Sequence, residues 1–329
     1  MALAQEIRDR LTLPAVAAPM FLCSGIELAA EACKAGIMGS LTRNHCRDIE
    51  ELEAQLKGVA ERVARFRDLH PDRKVGPLAV NIATQIVGDD MRAHLALCRR
   101  YGAQIVITSV GDPTATVPLV KDAGLIHYHD ATSLRFAEKA IAAGVDGIVA
   151  IGAGGGGHSG TISHLAFIPQ VRAMFAGTVV LAGAVSNGAT IRAAEILGAD
   201  LAYMGTRFIA TREALAPDEY KAMLVSGTAA DVIYTDAING MHAMWLKASL
   251  HAAGIDLATL PKPVKRGSDH LPPGAEPWKT VWSAGQGIGL IHDIPSVAQL
   301  VLRLQAEYVA ACSTNDMAAA ARAALQTEM

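Results

Sequence analysis

The run Ile151-Gly-Ala-Gly-Gly-Gly-Gly-His158-Ser-Gly160 joins four consecutive glycines to a single histidine, directly after the apolar stretch 147–151. Gly156 and Gly157 carry no side-chain bulk, so a backbone built this way can pass close to a flat or charged ligand. His158 then reaches that ligand with a near-neutral pKa, the property required of a base. The alternative is a surface loop with an incidental histidine. A dinucleotide fingerprint does not fit, because such a loop opens a helix soon after the first strand of its unit, whereas this one lies mid-chain and continues into the mostly polar stretch 161–164.

Two further segments have glycine where a strand should end. Leu181-Ala182-Gly183-Ala184 continues through Val185-Ser186-Asn187-Gly188 into a helical stretch, and Met204-Gly205-Thr206 follows the apolar run that begins at residue 201. Gly183 and Gly205 would let backbone N–H groups approach phosphate oxygens, Thr206 adds a hydroxyl, and a helix beginning near residue 189 would aim its positive end at the same point. One phosphate is implied. The competing reading is that these glycines only shape tight turns. Asn81, in Val80-Asn81-Ile82, offers a donor and an acceptor together and so matches the edge of a flavin or a nucleobase, or else serves as a cap. Ala18-Pro19-Met20 makes a tight strand exit that could line a ring system or merely plug the top of a fold.

His127 and His129 stand two apart in Ile126-His127-Tyr-His129-Asp130, which places both on one side of a strand. With Asp130 adjacent, they raise a rival reading, a metal-dependent hydrolase with an activated water. No further carboxylate stands clearly at another strand end, and the phosphate loops would go unexplained, so no metal is assigned.

These residues need elements to hold them. Short runs rich in Val, Ile and Leu recur at 15–20, 36–41, 76–82, 104–110, 124–129, 147–151, 178–184 and 201–208, with amphipathic helical segments at 26–35, 51–68, 90–101, 133–143 and 189–197. Apolar runs without polar alternation predict parallel strands covered on both faces. Eight of them over this length predict a (β/α)8 TIM barrel rather than an open doubly wound sheet. After residue 208 the rhythm breaks. Residues 211–260 read as helical, with 213–225 and 241–253 the plainest pieces, and 260–277 is a Pro/Gly-rich connection. The expected organisation is a ligand-binding barrel in 1–210, a mainly helical substrate lid over the C-terminal mouth in 211–282, and a return segment with the last barrel helix in 283–329.

Composition narrows the partners. Half of the 329 residues are hydrophobic, aromatics are 5%, and the formal net charge is −3 with no cluster of Lys or Arg, which favours a small-molecule substrate over nucleic acid. Cys23, Cys33, Cys46, Cys98 and Cys312 form no CxxC pair, so neither a zinc knuckle nor a disulfide framework is indicated, and a cytoplasmic location is expected. No signal-peptide pattern or membrane-length apolar run is present. The oligomeric state is open, a homo-oligomer included.

The set Ala18-Pro19-Met20, Val80-Asn81, Gly155-Gly156-Gly157-His158-Ser159-Gly160, Leu181 to Ala184, Gly198-Ala-Asp200 to Phe208 and Ala284-Gly285-Gln286-Gly287 resembles the FMN-dependent nitronate monooxygenases, with the related NADH:quinone reductases and flavin enoyl-acyl-carrier-protein reductases. The resemblance runs from residue 15 to about 310. It implies FMN held by Ala18, Pro19, Met20, Asn81, His127, Gly156, Gly157, Ala182, Gly183, Ala184, Met204, Gly205, Thr206 and Gln286, with His158 as the base. It also implies oxidation of nitronates or nitroalkanes with dioxygen to carbonyl compounds and nitrite. A quinone or enoyl-thioester reductase using NADH or NADPH as co-substrate is the alternative within the family, and a module that only holds FMN is the alternative outside it. Two departures bear on the substrate: Gly154 to Gly157 replaces a common Glu-Ala-Gly-Gly, and Asn239-Gly240-Met241-His242 replaces an arginine-bearing Thr-Gly-Arg stretch.

Overall fold

Apolar runs rich in β-branched residues pair here as parallel strands, and eight of them make one sheet in the order β1-β8-β7-β6-β5-β4-β3-β2. The computed structural model describes residues 3–313; the part of the expected return segment at 314–329 lies outside them. The strands are β1 (Ala15–Ala17), β2 (Gly39–Thr42), β3 (Leu78–Ala83), β4 (Ile105–Ser109), β5 (Ile126–Ala131), β6 (Gly147–Ile151), β7 (Thr178–Ala182) and β8 (Leu201–Met204). A short α1 (Gln5–Arg8) precedes β1. The helices between strands are α2 (Ile26–Lys34), α3 (Ile49–Leu69), α4 (Gly88–Arg100), α5 (Val117–Asp122), α6 (Leu134–Ala143), α7 (His164–Met174) and α8 (Gly188–Leu197), and a single turn α9 (Thr206–Ile209) follows β8. The sheet closes between β1 and β2, where Ala17 N donates to Met38 O at 2.9 Å and Met38 N to Ala15 O at 3.1 Å. The molecule is a (β/α)8 barrel.

Strand alternation sorts the side chains into two layers. Val16, Met38, Ala79, Ile105, Tyr128, Val149, Val180 and Leu201 fill the barrel interior, joined by Leu3, Ile7 and Leu11 from the N-terminal segment. Residues of the opposite parity, such as Val80 and Val106 on one side and Ala150, Leu181 and Ala202 on the other, pack under the helices. The Gly198-Ala-Asp200 segment proves to be a structural pin. Asp200 accepts from Arg172 at 2.5 Å and from Val179 N at 2.9 Å, tying α7 to the start of β7 and β8.

Beyond α9 the chain adds a strand pair to the mainly helical lid expected there. Helix α10 (Asp218–Ser226) starts later than expected because Pro217 sits at its N-cap. The stretch expected as one helix from 241 divides into β10 (Ala243–Leu246) and α11 (Lys247–Ala252), and β10 pairs antiparallel with β9 (Val232–Thr235). All four β10 residues are buried, a demand met by an extended strand enclosed on both sides and not by one stripe of a helix. Residues 260–277 contain no helix or strand. Helix α12 (Val297–Cys312), capped by Ser296 with Gln299, packs on α8 and α2 and completes the outer ring. Among the described residues no helix is long and apolar enough to cross a membrane.

Candidate active site

The C-terminal ends of the strands surround a cavity of about 1460 Å³. Ala18, Pro19 and Met20 from the β1 exit, Asn81 from β3, Gly156 to His158 from the β6 loop, Ala182 to Ala184 from the β7 exit, and Gly205 and Thr206 after β8 all line it. That is where active sites of this barrel type form.

The glycine loop is held, not loose. Gly157 makes an antiparallel bridge to Met244 of β10: Met244 N donates to Gly157 O at 2.9 Å, and Gly157 N donates to Ser283 Oγ at 2.6 Å. Ser283 in turn donates to Met244 O, and Tyr234 of β9 donates to Ser159 O at 2.8 Å. Gln286 N donates to Gly154 O at 2.9 Å, and a Cβ at Gly285 would lie 2.7 Å from the same carbonyl, so only glycine allows this approach. His158 meets the Trp278 ring edge-on at 5.3 Å, and Trp278 stacks on Trp245 at 4.4 Å. Burial among these neighbours, and the positive charge of Arg266, push the imidazole below its ordinary pKa and favour its neutral form at neutral pH.

The β7 and β8 exits form the cavity wall at which the sequence analysis expects a phosphate. Gly183 has φ 121° and Ala184 φ 57°, the latter a left-handed conformation uncommon outside glycine. Successive amides in such a turn make a concave donor set. Among the described residues the amides of Gly183, Ala184, Gly205 and Thr206 donate to no other group. Thr206 Oγ1 accepts from Gly285 N at 3.0 Å, leaving its own hydrogen to donate. The expected help from the following helix is not there. Of the first amides of α8, Thr190 N is taken by Asn187 in the capping box and Gly188 N by the Glu307 carboxylate of α12 at 2.8 Å, and none of residues 187–189 lines the cavity. A Cβ at Gly183 would come within 3.0 Å of Gly155 N and of the His164 ring, whereas at Gly205 the nearest atom is Met20 Sδ at 3.6 Å, so only Gly183 is sterically required by the protein.

Three expected ligand residues are not brought to the cavity wall. His127 is fully buried on the helix side of β5, because Tyr128 and Asp130 take the inward positions; its Nε2 pairs with Thr108 Oγ1 at 2.7 Å, and the same hydroxyl meets His129 Nδ1 at 2.8 Å. Burial depresses both imidazoles to about 4. Met204 also faces the helix layer and contributes its carbonyl, which accepts from Ala18 N at 3.1 Å. Gln286 lies on the outer side of the glycine loop. Asn81 does line the cavity, with Nδ2 committed to Ile107 O at 3.0 Å and Ser109 Oγ at 3.2 Å. Sequence reasoning missed Tyr203, Tyr234, Arg266, Trp278 and Ser283, and took up Asp130 only in the rival metal reading; all six line the cavity. The period-two pattern of β5 contained Asp130, but periodicity does not tell which of two faces is inward.

Residues 8–307 match the family model described as nitronate monooxygenase. A nitronate monooxygenase of Paraburkholderia phytofirmans is 30% identical over 89% of this chain and 92% of its own length. Among solved structures, nitroalkane oxidase from Streptomyces ansochromogenes superposes with a TM-score of 0.70 at 25% identity, covering 93% of this chain and 98% of that one. FabK from Thermotoga maritima superposes with a TM-score of 0.71 at 22% identity, covering 94% and 97%.

Proposed function

The chain belongs to the nitronate monooxygenase family and is an oxidoreductase, and on that premise we propose that it is FMN-dependent and uses dioxygen to convert nitronates, and nitroalkanes deprotonated at the site, to carbonyl compounds and nitrite. The observation that carries the proposal is a neutral-leaning histidine, His158, fixed by β10 on the wall of the same cavity whose β7 and β8 exits offer unpaired amides. The fit to FMN rests on those donors. The amides of Gly183, Ala184, Gly205 and Thr206, with the Thr206 hydroxyl, suit one phosphate, and the β1 exit and Asn81 suit the edge of a ring. Bound there, FMN would supply two-electron redox chemistry and reactivity toward dioxygen.

The protein's own part is proton handling and orientation. His158 takes the α-proton of a neutral nitroalkane, and the resulting imidazolium stays beside the anion and stabilises it. Trp278, backed by Trp245, limits the directions in which that imidazole can turn. A cavity of about 1460 Å³ exceeds the roughly 300–1,000 Å³ of ordinary small-ligand sites, which leaves room for a substrate beside a cofactor. That spare volume also favours the second reading, an NADH- or NADPH-dependent reductase of quinones or enoyl thioesters. The cofactor assignment is tested by denaturing the purified protein and chromatographing what it releases. FMN is expected; FAD, or no flavin even after reconstitution, would overturn it.

A further inference from the structure

The floor of the cavity holds an acid that has no part in the proposed proton transfer. Asp130 is the inward-facing partner of Tyr128 on β5 and lines the cavity with Asn81, Ser109, Ile151, Ala182 and Tyr203. Its Oδ1 is buried with no hydrogen-bond partner, and no cation pairs with the carboxyl among the described residues. Desolvation alone lifts its pKa to about 7. The facing strands supply no counter-charge. Asn81 on β3 and Ser109 on β4 are neutral and bonded to each other, and β6 presents Val149 and Ile151. From β8 comes Tyr203, itself pushed up by burial and by the charge of Asp130. Arg43, His129, Lys139, His158 and Arg266 border the cavity without acting on the carboxyl, and the His129 ring bonds Thr108.

Filling this cavity with a flat ring removes the water that an ionised carboxylate would need, and no protein group replaces it. A protonated carboxyl, by contrast, carries one O–H donor that must find an acceptor. The donors of Asn81 are already committed to Ile107 and Ser109, which leaves Asp130 as the free acid on this floor. We infer that Asp130 is a binding residue for the cofactor ring, holding its carboxyl in the neutral form and donating to an acceptor atom of that ring, so that binding takes up one proton from solvent. The inference rests on the FMN reading above.

The test measures FMN dissociation by fluorescence between pH 5.5 and 8.5 for the wild type and Asp130→Asn, whose amide can donate and does not titrate. Taking the ratio of the two constants at each pH cancels the ionisation of the FMN phosphate. The ratio of wild-type to variant dissociation constant should be flat at low pH and then rise by about tenfold per unit once the free carboxyl ionises. Calorimetry of FMN binding to the wild type at pH 8, in two buffers of different ionisation enthalpy, should show close to one proton taken up. That second measurement does not depend on the variant folding. A flat ratio with no proton uptake would overturn the inference while leaving the FMN reading intact. A ratio that falls with rising pH would also overturn it, meaning an ionised Asp130 accepting from the ring. A wild type that binds no FMN at any pH would instead remove the FMN reading, and this inference with it.

Discussion

His158 and Gly183 carry the most specific residue-level expectations. His158→Asn keeps the size and polarity of the side chain but cannot take a proton. It should retain FMN and lose roughly 10²- to 10⁴-fold in turnover of a neutral nitroalkane, the range of a missing general base. A preformed nitronate needs no deprotonation, so its oxidation should fall much less. Equal losses on the two substrates in steady-state assays would show that the imidazole acts on something other than the α-proton. Gly183→Val forces a β-branched residue to φ 121° and pushes its Cβ to within 3.0 Å of Gly155 N and His164. About 1–3 kcal/mol of backbone strain at this wall should weaken FMN retention by roughly ten- to a hundredfold while circular dichroism still reports a folded barrel. Normal cofactor content would mean that the phosphate lies elsewhere. Gly205→Ala, where the new methyl would meet only van der Waals contacts of 3.6 Å and longer within the protein, serves as the comparison.

At the scale of elements, the loop that carries the proposed base depends on a strand from a different part of the chain. Ser283 bridges Gly157 N and Met244 O and so ties the glycine loop to β10. Ser283→Ala leaves the Gly157 amide without its acceptor, a loss of about 1–3 kcal/mol for a buried donor. It should accelerate hydrogen exchange at Gly157 and lower kcat while flavin content stays near normal; unchanged exchange would show that the loop holds its shape unaided. This clamp also marks where sequence reading stopped. The eight strands were legible because buried parallel strands need continuous apolar runs, and β6 matches its expected bounds of 147–151. The loops at their ends were legible from glycine and polar residues at the exits. The hairpin was not, since Ala243-Met-Trp-Leu246 is an apolar run that fits a helix as well as a strand, and its pairing with Gly157 spans 87 residues. His127 was misplaced for a related reason. Its side chain shares a strand with Asp130, and only barrel closure decides that the odd positions of β5 face the helices.

For the whole molecule, the buried imidazoles set a pH limit on stability. His127 and His129 titrate near 4 when folded against 6.5 in the open chain, so between these values the unfolded state binds more protons and stability falls as pH drops. Asp130, raised from 3.8 to about 7, works in the opposite direction, but two imidazoles outweigh one carboxyl over that window. Thermal unfolding should therefore show a midpoint that declines from pH 6.5 to 4. The decline should be shallower in His127→Gln, which has one imidazole fewer to charge. Parallel curves for the two proteins would mean that other groups govern the acid limb. The central claim, that this barrel passes electrons from a nitronate to its cofactor, is tested most directly by anaerobic bleaching of the flavin absorbance in one purified sample mixed separately with a nitronate, NADH and NADPH. The account predicts rapid bleaching by the nitronate and colour returning when air is admitted. Rapid bleaching by NADH or NADPH with none by the nitronate would contradict it and assign the site to a reductase.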